Sequence, residues 1–301
     1  MRVIVTGGAG FIGSHVADAL VARGDEVHVL DDLSKGKRER VPAGAELHVA
    51  DVRNPDAVFD AVRPEAVFHL AAQADVRVSI ERPDFDAEVN VIGTLRVVEA
   101  AQRHGARVAF SSTGGAIYGE CDAPAPETSH RQPLSYYGTS KLCGEEYLLT
   151  TNRLYGSSHT ILRYGNVYGP RQEPHGEAGV VAIFMGLLLD GGTPRIYGDG
   201  RQTRDYVYVG DVVAATIAGL EHGGGGIYNV GTAIETSVLD LHAAIVAASG
   251  IDRGPEFAPE RLGELQRSVL DPSLAGTALD WRPTRSLAQG LAETWAWVTA
   301  R

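Results

Sequence analysis

Cysteine, a basic excess and long apolar runs are what this 301-residue chain has little of. Only Cys121 and Cys143 occur, without CxxC or Cys/His spacing. That argues against a disulfide framework or a cysteine zinc site and fits reduced thiols in a cytoplasmic protein. Met1 leads straight into β-branched residues, with no charged n-region and apolar h-region of the kind a signal peptide needs. No apolar run approaches the length of a membrane span, so no membrane partner is expected. The net charge of -11 argues against nucleic acid as a partner, because phosphate-binding surfaces are basic. A small anionic ligand held by a few local arginines stays possible. The rest, 44% hydrophobic and 22% charged, is the composition of an ordinary globular protein with length enough for a substantial core.

The first half alternates β-branched runs with helical patterns. Strands are predicted at 3–5, 26–30, 46–49, 66–70, 107–111 and 160–164, with helices over 13–23, 55–62, 89–104 and 137–155. Asp51 and Asn54 are candidate caps of the 55–62 helix. Strands alternating with helices predict an α/β fold, a Rossmann-type doubly wound parallel sheet. After Asn166 the pattern breaks into glycine- and proline-rich turns. The expected division is a dinucleotide-binding domain over 1–166, with returning segments near 205–230. A smaller, discontinuous substrate lobe is drawn mainly from 167–301, over the carboxyl edge of the strands where ligands bind in such sheets.

Gly7, Gly10 and Gly13, with Phe11 and Ile12 between the last two, fall between a strand and a helix. The first glycine permits the turn, the second the approach of backbone to a pyrophosphate, the third close packing of helix on strand. The pyrophosphate then sits at the positive end of the helix dipole. Asp31 closes the second strand, where a carboxylate accepts hydrogen bonds from the adenosine ribose and repels a 2'-phosphate. NAD is therefore favoured over NADP, against the opposite pull of Lys35, Lys37 and Arg38.

Tyr137 and Lys141 lie one helical turn apart and share a face. A phenol ordinarily titrates near pH 10, and an ammonium beside it, with an oxidised nicotinamide, moves it toward a useful base. Ser111, Ser112 or Thr113, at the end of a strand, can hold the alcohol to be oxidised.

These motifs resemble the extended short-chain dehydrogenase/reductases, in particular NAD-dependent nucleotide-sugar 4-epimerases of the UDP-glucose (UDP-galactose) 4-epimerase type. The resemblance runs through Thr6 to Gly13, His69 to Ala74, Ser111 to Thr113, Ile117 to Gly119, Tyr137 with Lys141, Leu162 to Arg171, and Thr203 to Val207. It implies Tyr137 as catalytic base, Lys141 as its partner and a hold on the ribose, and Thr113 as third member. It places Asp31, Asp32, Ser34, Lys35, Asp51, Val52, Leu70, Ala71, Ala72, Asn90, Ser111 and Tyr164 around NAD. Asn166, Arg204 and Arg261 would reach the substrate diphosphate, where an arginine fork suits the geometry. Glu264 would contact the nucleotide ribose, Ile196 and Tyr197 would flank the base, and Gln73 and Arg77 lie near the sugar. Relatives dimerise through two helices per subunit, here 89–104 and 137–155, which implies a homodimer.

Related 4,6-dehydratases carry an acidic pair after the threonine, and UDP-glucuronate decarboxylases usually an acid in the same turn. Gly114-Gly115 stands here instead. A 4-keto-sugar reductase would usually need NADPH, against Asp31. A non-catalytic NAD or sugar-nucleotide binder is disfavoured by the intact Tyr137, Lys141 and Thr113. The resemblance implies that the residue at 268 helps set pocket size, a bulky aromatic favouring simple hexoses; Ser268 leaves an acetamido sugar open, and Arg77 with Gln73 leaves UDP-glucuronate open. The nucleotide itself, uridine or thymidine, stays undecided. His175 and Glu177 lack a third ligand at suitable spacing, so an ordered loop and no metal are expected.

Overall fold

A computed structural model describes residues 1–174, 179–260 and 265–300. The first half runs β1 (Arg2–Thr6), α1 (Phe11–Arg23), β2 (Glu26–Asp31), β3 (Ala45–Val49), α2 (Asp56–Val62), β4 (Ala66–His69), α3 (Val76–Glu81), α4 (Pro83–Ala87) and α5 (Gly93–Arg103). It continues through β5 (Arg107–Thr113), α6 (Gly114–Ile117), α7 (Tyr136–Tyr155) and β6 (Thr160–Tyr164). Then follow β7 (Asn166–Tyr168), α8 (Val180–Leu189), β8 (Arg195–Tyr197), β9 (Thr203–Tyr208), α9 (Val209–His222) and β10 (Ile227–Val230).

Seven parallel strands form one sheet in the order β10-β6-β5-β4-β1-β2-β3. The sheet is therefore Rossmann-like, as the alternating pattern predicts, and β10 closes one edge after a long excursion. Period-two alternation on strands covered on both sides divides the core in two. Val3, Val5 and Phe68 pack with α1 and α9, while Ile4, Val67 and Phe110 face α2, α5 and α7. A third cluster, with Tyr168, Phe184, Met185, Ile196 and Leu241, lies among the short elements after residue 166. There β9 is flanked by β7, by Glu235–Ser237 and by Arg267–Ser268.

Two local expectations are corrected. Pro55, not Asp51 or Asn54, precedes α2, and no side chain caps it; the Asp51 carboxylate is instead taken by Arg53. The helix expected over 89–104 is interrupted: Glu88–Ile92 forms a π turn that continues from α4 into α5. The wider turn carries Asn90, whose side chain is engaged by the loop at Gln73, by Asp86 on α4 and by Ser140 on α7, a tertiary demand that periodicity does not reveal. Among the described residues, no helix is long and apolar enough to cross a membrane.

Candidate active site

The β1–α1 turn is built for close approach. Gly7 is left-handed at φ +68°, its N–H donates to Leu30 O across to β2, and Gly10 N donates back to Gly7 O at 3.0 Å. A Cβ on Gly13 would stand 2.1 Å from Gly7 O, so only glycine lets α1 rest on the turn. The amide ends of α1 are thereby bared toward a cleft of ≈ 620 Å³ at the carboxyl edge of the sheet. Gly13→Ala is expected to weaken NADH binding roughly tenfold or more, because overpacking against backbone costs at least a kcal/mol or so. A fluorescence titration with NADH, alongside circular dichroism as the fold control, checks this; wild-type affinity would rule the turn out as a cofactor contact.

Most of the expected cofactor residues line this cleft: Gly7, Gly10, Phe11, Ile12, Gly13, Asp31, Asp32, Ser34 and Lys35 from one side. Asp51, Val52, Leu70, Ala71, Ala72 and Ser111 come from the other. Asp31 is held as a cradle wall by Ala9 N on one oxygen at 3.0 Å and Leu33 N on the other at 2.9 Å. Burial pushes its pKa up against those bonds. Lys37 and Arg40 are both ion-paired to Glu173, which leaves the basic loop partly neutralised. Glycines that a Cβ would fill, a helix N-terminus and a strand-end carboxylate together fit a dinucleotide with an unphosphorylated ribose.

The other wall is held by a buried network. Asn90 accepts from Gln73 N at 2.8 Å and donates to Gln73 O and to Ser140 Oγ, which ties the cleft loop to α7. The Gln73 amide is spent on Asp86 and on the backbone of Asp75. Gln73 lines the cleft, yet its side chain points into this network rather than outward. His69, missed as a site residue though its motif was noted, bridges Thr6 Oγ1 (2.7 Å) and Thr94 Oγ1 (3.0 Å). Burial pushes it down to about 3, so it is a neutral strut. Tyr164 is not among the residues lining the cleft: its side chain lies in the core and its hydroxyl meets Thr216 at 2.7 Å, because its strand position points it at α9.

The groups expected to react sit where β5 meets α7. Ser135 caps α7 by accepting from Gly138 N, and a Cβ on Gly138 would stand 2.6 Å from Ala116 O. This lets the first turn of α7, with half-buried Tyr137, press on α6 just after Thr113. One turn on, Lys141 is buried with Nζ 4.4 Å from the centroid of the Phe110 ring. Burial pulls its pKa down to about 8, opposed by the Glu145 and Asp86 carboxylates. Glu145 is held by Arg163 through two bonds (2.8 and 2.6 Å) and by Ser112 Oγ (2.6 Å). Ser112 is thus used inside the protein, leaving Ser111 on the cleft and Thr113 at the strand end.

Asn166 Oδ1 would lie 3.3 Å from a Cβ on Gly115, close to Thr113. Arg204 and Ser268 are register partners on β9 and its neighbour, with Ser268 buried. Asp205 anchors this region by accepting from Thr232, Ala233 and Leu270. Tyr197 lines a second cavity of ≈ 360 Å³ with Gln202 and Gln266, but the Ile196 side chain turns into the third core cluster, as strand alternation requires. The Arg77 guanidinium is bound by Asp75. Arg261 and Glu264, like His175 and Glu177, lie outside the described residues. Arg40, Arg171 and Gln172 also line the cleft and were missed; Arg171 closes a motif already noted, whereas Arg40 carries no sequence signal.

Residues 3–231 match the family model described as NAD dependent epimerase/dehydratase family. A UDP-glucose 4-epimerase from Mycolicibacterium smegmatis is 48% identical, over 98% of this chain and 97% of that one. The structure of a UDP-glucose 4-epimerase from Thermotoga maritima with UDP-glucose superposes at a TM-score of 0.98 with 45% identity, covering 100% of this chain and 99% of that one. The Thermus thermophilus UDP-glucose 4-epimerase in complex with NAD superposes at 0.94 with 47% identity, over 99% of each chain. With its glycine turn, strand-end aspartate and Tyr137–Lys141 helix in one continuous fold, the chain belongs to the NAD-dependent epimerase/dehydratase family.

Proposed function

We propose that the protein is a UDP-glucose 4-epimerase, interconverting UDP-galactose and UDP-glucose through a transient 4-keto sugar with NAD held throughout. The observation that carries this reading over other fates of the same keto sugar is the turn after Thr113. A Cβ on Gly114 would meet the Leu270 side chain at 2.5 Å, and one on Gly115 would crowd Asn166. The turn carries no acid for eliminating water, and an acidic side chain there would have to displace Leu270 or Asn166, whereas hydride removal and return need none.

NAD, when bound, supplies the acceptor and donor of the C4 hydride. Tyr137 takes the proton of the sugar 4-hydroxyl and returns it to the same oxygen after the 4-keto sugar has turned its other face to the hydride donor. Thr113 holds that oxygen, and Lys141 keeps a positive charge on the tyrosine's face of α7. Asn166 and Arg204, with Arg261, anchor the diphosphate while the sugar turns over, and Tyr197 flanks the base. Arg77 is already neutralised by Asp75, which weighs against a carboxylate at the sugar and so against UDP-glucuronate. Two unpaired thiols suit a reducing, cytoplasmic setting.

Incubating the protein with UDP-galactose and no added NAD, then resolving the sugar nucleotides by chromatography, is expected to give UDP-glucose at a steady ratio. Conversion of UDP-N-acetylgalactosamine alone would shift the substrate to an acetamido sugar, with Ser268 as the small residue admitting it. No conversion of either, with NAD supplied, would end the UDP-glucose 4-epimerase reading and move the substrate to a glucuronate or thymidine-linked sugar.

We propose further that two chains pair through α5 and α7. Tyr147 and Leu154, seven residues apart on one face of α7, are 41% and 69% exposed, and Tyr155 beside them is 65% exposed. Leu154→Glu is expected to convert a dimer to a monomer by light scattering; a wild-type monomer would refute the pairing.

A further inference from the structure

Away from the cleft, on the outer edge of the central sheet, β2 and the edge strand β3 bring three side chains together that no spacing rule connects. His28 is the register partner of Glu46, and Glu46 and His48 share a face of β3 as alternate residues. His28 Nδ1 and His48 Nε2 stand 3.0 Å apart. One Glu46 oxygen lies 3.6 Å from His28 Nδ1 and the other 3.8 Å from His48 Nε2. Zinc–ligand bonds near 2.0–2.1 Å at the tetrahedral angle separate ligand atoms by about 3.3 Å. The two imidazole nitrogens are thus close to the spacing a single ion would impose, and one donor atom from each of the three residues lies within 4.8 Å of the others, so a small turn of the exposed Glu46 side chain completes the set.

The surroundings point the same way. His28 is 8% exposed, and its far nitrogen, Nε2, faces Glu26 Oε1 at 3.3 Å. A hydrogen on Nε2 donated to Glu26 leaves the Nδ1 lone pair facing His48 and Glu46. A carboxylate behind a ligating imidazole is the arrangement that fixes ring and tautomer at metal sites. We propose that His28, Glu46 and His48 bind one divalent transition-metal ion of the zinc class, with water completing the tetrahedron. Two imidazoles and a carboxylate select zinc, cobalt or nickel over magnesium or calcium. No metal centre is expected from the sequence, since the donors come from two strands 18 residues or more apart. The bound ion would clamp an edge strand to β2 just three residues before Asp31, whose backbone oxygen also receives Ala50 N.

The test uses the NAD-loaded protein in chelator-treated buffer, titrated with Zn2+ by calorimetry, with Co2+ as a visible-absorption probe. Wild type is expected to take up one ion per chain and to melt at a temperature that climbs with zinc concentration. His48→Gln should lose both effects, and Glu26→Gln should bind about 10–100-fold more weakly. Glu46→Gln, at an exposed position, serves where His48→Gln fails to fold. No stoichiometric uptake by wild type, or equal uptake by wild type and the ligand variants, would overturn the site and leave a hydrogen-bonded imidazole pair only.

Discussion

Tyr137→Phe is expected to lower kcat by about 10²–10⁴-fold, the usual contribution of a positioned general base, while leaving NAD bound and the fold intact. One oxygen is removed from a half-buried ring in the first turn of α7. The features that seat that turn, the Ser135 cap and the close approach of Gly138 to Ala116, remain. The glycine turn expected to cradle NAD lies on the β1–α1 side of the cleft, which the substitution leaves unchanged. The measurement pairs turnover of UDP-galactose with the NAD content of the purified protein. Turnover within a few-fold of wild type would remove Tyr137 as the base; loss of NAD together with turnover would make it a cofactor-binding residue instead.

Lys141→Met should abolish activity and yet raise the melting temperature. Burial is the dominant influence on this ammonium and pulls it from its ordinary value to about 8. In the unfolded chain it titrates near pH 10.4. Between those values the folded protein binds fewer protons than the unfolded one, so this group makes stability rise with pH from about 8 toward about 10. Below pH 8 the buried charge costs the fold a few kcal/mol. Methionine fills much of the same volume over the Phe110 ring without that charge, and Glu145 stays satisfied by Arg163 and Ser112. The expected signature is a variant more stable than wild type near pH 7, with the difference shrinking as pH approaches 10. A variant less stable at pH 7 would mean that the attraction of Lys141 to Glu145 and Asp86 outweighs its burial. Retained turnover would separate Lys141 from the chemistry altogether.

The central sheet and much of the cofactor cleft were legible because they depend on local signals. β1, β2, β4, β5 and β6 read as β-branched runs, Gly7, Gly10 and Gly13 as a turn between strand and helix, and Tyr137 with Lys141 as one helical face. Each of these needs only neighbours in sequence, and their order along the chain implies a parallel sheet whose carboxyl edge gathers them. The π turn at Glu88–Ile92, the short helices α3, α4 and α6, and the strand β9 were not legible, since packing partners distant in sequence hold them.

Local sequence is enough for the α/β class, the dinucleotide turn, the acid at the end of the second strand and the phenol–ammonium pair. All of these follow from backbone sterics and periodicity within a turn or two. Which polar groups are left to act depends on the packing of segments distant in sequence, and here the fold makes that choice. It spent Ser112 on Glu145 and Gln73 on Asp86, turned Tyr164 and Ile196 into the core, and packed Leu270 against Gly114. It also set His28 opposite Glu46 and His48. Strand register is a long-range choice made by burial of both sheet faces, and one residue of slip would have scattered these three side chains to opposite sides of the sheet.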